Sequence, residues 1–195
     1  TPPLPEGARR LRIVGTQWLS WDRIVWSVEI ADDEPIVRAR LAPTSADLHY
    51  RGFSEMVRPA PNGPHLFDYE QVSTESPWLA FPGNYTRYGE VRELLLDADD
   101  RSVIMGPGDE MTLLFDASDL PPLEPGWRRT LFLESHGWDK DADRNTGAGE
   151  QVEPLPFRAM SSYPYGPEET FPDTPLHRDY LESWLTRIVA PGSIR

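Results

Sequence analysis

Between Trp138 and Glu150 the chain reads WDKDADRNTGAGE, and its oxygen-bearing side chains are spaced as in a cation loop. Asp139, Asp141, Asp143 and Glu150 fall at relative positions 1, 3, 5 and 12. Carboxylates at that spacing, with the Asn145 carbonyl and water between them, converge on one hard ion, so calcium is the cofactor this stretch would hold. Arg144 stands where a helix-loop-helix calcium loop turns on glycine, and strand-like sequence leads in. Both features favour the other reading, a solvated acidic turn in which Lys140 and Arg144 pair locally with the acids.

Other reactive residue types are present without the spacing that chemistry needs. Glu134, Ser135 and His136 have the composition of a nucleophilic triad, but neighbours on an extended strand point to alternate faces. His49, His65 and His177 lie far apart, and no metal-ligand spacing links them. The pairs Asp32-Asp33, Asp99-Asp100, Asp109-Glu110 and Glu168-Glu169 sit in turn-like sequence, whereas a glycosidase needs acids on opposite sides of a bound sugar. Gly106-Pro107-Gly108 is followed by no Lys-Ser/Thr pair and opens no helix, so it reads as a hairpin turn and not a phosphate loop. Aromatic residues offer a binding surface instead: Trp18, Trp21, Trp78, Tyr163 and Tyr165 form a candidate platform for a sugar ring or a protein partner. Trp26, Trp127 and Trp184 are assigned to the core.

The elements that must position these residues are constrained by composition. A chain of 195 residues forms one domain or two small ones, and 38% hydrophobic content is that of a globular protein. Its 21 prolines work against long helices, because an interior proline removes a hydrogen bond and clashes with the preceding turn. Lys and Arg total 19 against 32 Asp and Glu, a net charge of −13, which excludes nucleic acid and anionic membrane as partners. With no cysteine, disulfides, thiolate zinc sites and thiol catalysis are excluded. No apolar run is long enough to span a membrane.

Residues 1–10 (TPPLPEGARR) read as an arm or linker, and residues 11–195 as a single domain. Strands are expected at 11–14, 24–30, 36–41 and 47–51. From 54 to 88 the pattern weakens into a long loop punctuated by Pro59, Pro61, Pro64, Pro77 and Pro82, with Val91, Leu94 and Leu95 in a helical turn after it. A hairpin is expected from 102–105 and 110–116, then a Pro-rich loop and a strand over 128–134. Thr174 and Pro175 are an N-cap and first helical residue, and Leu176, Tyr180, Leu181, Trp184, Leu185 and Ile188 share one helical face. That predicts an amphipathic helix over about 174–189. The fold class is mainly β: an antiparallel β-sandwich of roughly seven to nine strands, with long Pro-rich loops and one C-terminal α-helix.

Several long strings carry a family resemblance: YRGFSE, GPHLFDYEQVS, YTRYGEVRELL, DDRSVIMGPGDEMTLLFDAS, EPGWRRT, GWDKDADRNTGAGEQVEPLPFRAMSSYPYG and FPDTPLHRDYLESWLTR. Together they make residues 51–187 resemble the C-terminal region of bacterial FG-GAP / ASPIC-UnbV proteins, related to cartilage acidic protein 1. The chain has no FG-GAP repeat of its own, and residues 1–44 match less well. The resemblance implies a periplasmic or secreted bacterial protein whose signal peptide is removed or lies outside this sequence, and it brings no catalytic residues. The function expected is a non-enzymatic accessory module that binds a partner protein or sits in a larger envelope complex. A carbohydrate-binding sandwich and a hydrolase whose acids meet only in the fold are the alternatives.

Overall fold

Strict alternation along Ser45–Tyr50 places the core. Ala46 and Leu48 are fully buried while Asp47 between them is exposed, as period-2 geometry requires of a strand with one dry face. The computed structural model describes residues 36–58, 66–75, 80–140, 145 and 148–190. The chain divides into units 1–38 and 39–195, and every element described belongs to the second. The expected arm, the strands at 11–14 and 24–30, and Trp26 lie outside the described residues.

Among the described residues the regular structure is mostly strand, with one α-helix. The strands are β1 (Ser45–Tyr50), β2 (Phe53–Val57), β3 (Leu66–Ser73), β4 (Gly83–Tyr85), β5 (Gly89–Glu90), β6 (Asp109–Leu114) and β7 (Arg187–Val189). They form small antiparallel sheets in the orders β5-β1-β6, β2-β3 and β4-β7. In the first sheet Ser45 lies opposite Leu114 and Tyr50 opposite Asp109. A 3-10 turn, Arg92–Leu95, and helix α1, Pro175–Ser183, close the core. Ala46 and Leu48 meet Tyr85, Val91, Leu94, Val152, Leu155, Tyr180, Trp184, Leu185 and Val189 there. Each large aliphatic buried in this way contributes roughly 1.5–3 kcal/mol, and Leu48→Ala would cost about 2–5 kcal/mol.

One polar knot crosses the apolar core. The Asp109 carboxylate is almost wholly buried and takes the Arg187 guanidinium at 2.5 Å. It also accepts from the Tyr88 hydroxyl and the Gly106 main-chain N–H, each at 2.7 Å. Arg187 Nε donates to the Thr86 carbonyl at 3.1 Å, and its guanidinium lies 4.3 Å from the Tyr88 ring centre. Among the described residues no buried side-chain nitrogen or oxygen is left without a partner, the condition under which a buried ion pair is tolerated.

Helix α1 starts where its sequence says it should. Thr174 is extended (φ −100, ψ 166) and its hydroxyl accepts from the His177 N–H, with Pro175 in the first turn. It stops at Ser183, short of the expected 189. Thr186, Ile188 and Val189 are β-branched, and residues 187–189 pair with β4 as β7 instead of continuing the helix. Tyr180, Trp184 and Leu185 are buried as the helical face predicted, whereas Leu176 and Ile188 are exposed.

Five further expectations are corrected. Residues 36–41 form no strand. Residues 54–88 are not a featureless loop, since β2, β3 and β4 run through them. Residues 102–105 do not pair with β6, because the Ile104 N–H and carbonyl are both taken by Thr86, at 2.7 and 3.1 Å, and β6 pairs with β1. Residues 128–134 are irregular, and Trp127 is exposed rather than in the core.

Candidate functional site

The candidate site is the β2-β3 ribbon, and its position follows from a single glycine. Gly52 joins β1 to β2 with φ +104, and a Cβ there would stand 2.7 Å from the Ser73 carbonyl oxygen. Only glycine allows the chain to leave β1 at that angle and swing into a second sheet. Arg51 braces the junction. Its Nε meets Glu110 at 3.2 Å, its Nη1 donates to Ser54 at 3.2 Å, and its guanidinium stacks 3.7 Å from the Tyr69 ring centre. Tyr69 donates its hydroxyl to Glu110, and that carboxylate holds the phenol above its usual pKa.

Beyond the brace, the ribbon pairs with no other described strand. Met56 lies opposite Phe67, so both share one face, and Tyr69 follows where the register shifts opposite Ser54 and Glu55. These three are 48%, 58% and 60% exposed. On the other face Glu55 lies directly opposite Asp68, with Val57 opposite Leu66. Like charges placed cross-strand are unfavourable for an isolated ribbon. Each strand also keeps one edge whose main-chain groups no described strand pairs, the geometry that accepts an added strand. A second apolar stretch follows in the irregular segment after Trp127, where Leu131, Phe132 and Leu133 are 79%, 89% and 74% exposed.

The residues singled out from the sequence are scattered. Trp18, Trp21 and Trp78 lie outside the described residues. Tyr163 packs against Trp138, ring centres 5.3 Å apart, while Tyr165 packs edge-on against Phe157 at 5.1 Å. Trp138 is well exposed, and the platform reading missed it. Of the calcium set, Asp139, Asn145 and Glu150 are exposed, and Asp141 and Asp143 lie outside the described residues. Among the described residues no three His, Asp or Glu side chains cluster as a metal site.

What does organise the neighbourhood of that loop is Lys140. Its ammonium donates to the carbonyls of Ala148, Gln151 and Val152 at 3.4, 2.9 and 2.6 Å, and burial lowers its pKa. Glu134 and His136 are exposed and 3.5 Å apart, and Glu134 also pairs with Arg40 at 3.5 Å. His177 bonds Thr174 Oγ1 through Nδ1 at 2.7 Å and Asp100 Oδ2 through Nε2 at 3.2 Å. Because Thr174 is the helix cap and Asp100 also accepts the Arg158 N–H, at 2.7 Å, this array docks the helix start.

The ribbon itself had a readable signal. An Asn62-Gly63 pair separates two runs rich in Val, Phe, Tyr and Met, the pattern of a hairpin. Compared with family models, curated proteins and solved structures, the chain matches none. Among the described residues no helix is long and apolar enough to cross a membrane.

Proposed function

We propose that this protein is a non-enzymatic interaction module that docks a partner protein through the β2-β3 ribbon. The observation that carries the reading is the exposed Met56-Phe67 cross-strand pair on a ribbon that no other described strand covers. Large apolar side chains gathered on one surface mark contact sites on soluble proteins. The acidic Glu55-Asp68 pair on the opposite face suits a partner groove lined by basic residues, and so does the net charge of −13. In this reading the small sheets are layers of an antiparallel β-sandwich from which the ribbon extends. Placement in a bacterial envelope or secreted assembly rests on the family resemblance alone and belongs to the same proposal.

The test is comparative capture from native cells with the unaltered chain and with Phe67→Ser. A stoichiometric partner retained by the first and lost by the second, with unchanged melting, supports the reading. A partner retained equally by both, or no partner at all, overturns it.

One observation favours a second reading. Trp138, well exposed, forms a tilted pair with the half-buried Tyr163, and such aromatic faces accept sugar rings. Glycan binding that quenches tryptophan fluorescence and disappears in Trp138→Ala would support it. Calcium held by Asp139, Asp141, Asp143, Asn145 and Glu150 is a separate proposal. A melting temperature raised by millimolar calcium after chelation supports it, and an unchanged one overturns it.

A further inference from the structure

Away from the ribbon, β4, α1 and the segment 153–171 surround an open cleft of about 370 Å3. Its lining is mostly apolar and aromatic: Leu155, Tyr165, Phe171 and Leu185 form much of the wall. Volume and lining fall within the range of small-molecule sites, which pair an apolar surface with a few placed polar groups. Here the placed groups are Asn84 and Glu153, and Glu153 is the one ionisable acid or base among the lining residues apart from the phenol of Tyr165.

The Glu153 carboxylate is oriented by the fold. Its Oε1 accepts the Asn84 main-chain N–H at 3.0 Å. Oε2 takes no hydrogen bond from the described residues, and it sits so close over Gly83 that a Cβ there would lie 2.4 Å away. A carboxylate that lines an aromatic cleft, with one oxygen on the main chain and the other unbonded among the described residues, has the chemistry of a counter-ion for a cation. Lys140 feels the Glu153 charge but is committed to three main-chain carbonyls. Aromatic faces such as those of Tyr165 and Phe171 attract cations as well as apolar groups.

We propose that this cleft binds a small organic cation, an ammonium group carried on an apolar or aromatic body, with Glu153 as its counter-ion. The body would occupy the Leu155-Phe171-Leu185 wall and the ammonium would meet the Glu153 carboxylate. The proposal is independent of the ribbon reading, because the two surfaces share no residue.

The experiment titrates the full chain with 2-phenylethylamine, 2-phenylethanol and phenylacetate, read by NMR shift perturbation. The amine should bind in the millimolar range or tighter, the alcohol at least about tenfold more weakly, since a charge-assisted hydrogen bond is lost, and phenylacetate not at all. Glu153→Gln keeps an acceptor for the Asn84 N–H and should bring amine and alcohol to equal affinity. Leu181→Trp, which fills the cleft from α1, should abolish binding of both. Phe67→Ser should leave amine binding unchanged, which separates this result from that of the ribbon test. Equal binding of amine and alcohol by the unaltered chain, retention of the preference in Glu153→Gln, or no binding of the amine would overturn the proposal.

Discussion

Asp109 shows how one side chain can join three parts of a small β protein. It lies in β6, holds Arg187 of β7, and accepts from Tyr88 and Gly106 in the intervening segments. Truncation would leave a guanidinium buried without its counter-charge. Asp109→Ala should therefore cost about 3–5 kcal/mol in urea unfolding. Replacing both partners with apolar residues of similar size should cost far less, which would show that the penalty lies in the orphaned charge. Tyr180 gives a second test at this scale. Burial holds its phenol well above the usual range, and its hydroxyl donates to the Ser102 carbonyl at 2.6 Å. Unfolded tyrosine ionises near pH ~10, so above that pH the unfolded chain sheds a proton that the folded chain keeps. This contribution to stability is complete below that pH and is lost as pH rises beyond it. Melting followed across the alkaline range should show the decline, and Tyr180→Phe should reduce its slope. The same variant should lower neutral-pH stability by about 1–3 kcal/mol, since the Ser102 carbonyl loses its donor.

Elements with a local signature were the legible ones. Thr174-Pro175 announced the helix start, alternation announced β1, and Val91-Leu94-Leu95 announced the 3-10 turn. Thr174→Ala should cost about 1 kcal/mol, measured by thermal unfolding, because one cap acceptor disappears. What could not be read was partner choice. β6 pairs with β1, more than fifty residues upstream, because Thr86 takes the main chain of Ile104, and no local pattern encodes that substitution. β7 was misread as helix because its three residues continue the apolar spacing of α1, and only the β4 edge turns them into a strand. The ribbon shows the same limit: prolines on either side of its strands make the stretch read as a loop, and the exposure of Met56 and Phe67 depends on what lies around them. Because those side chains bury little, Phe67→Ser should change stability by no more than about 0.5 kcal/mol in the same assay while removing partner capture. The candidate cleft gave no sequence signal, since Asn84, Glu153 and Leu185 are brought together from three distant stretches.

At the scale of the whole molecule, charge sets the behaviour. With 32 acidic and 19 basic residues, 19 − 32 = −13, the chain repels itself in dilute salt. Raising ionic strength from about 0.01 to about 0.15 M shortens the screening length from roughly 30 to 8 Å. The melting temperature should rise over that range, and association with a basic partner should slow. The basic residues are also unevenly chosen, for all but Lys140 are arginine. That lone lysine is tethered by its tip to the 148–152 turn. An amine-directed acylating reagent thus meets a chain with a single side-chain target, and that target reacts only when the turn lets go. Acylation rate becomes a clock for one local opening event, with no engineered label needed.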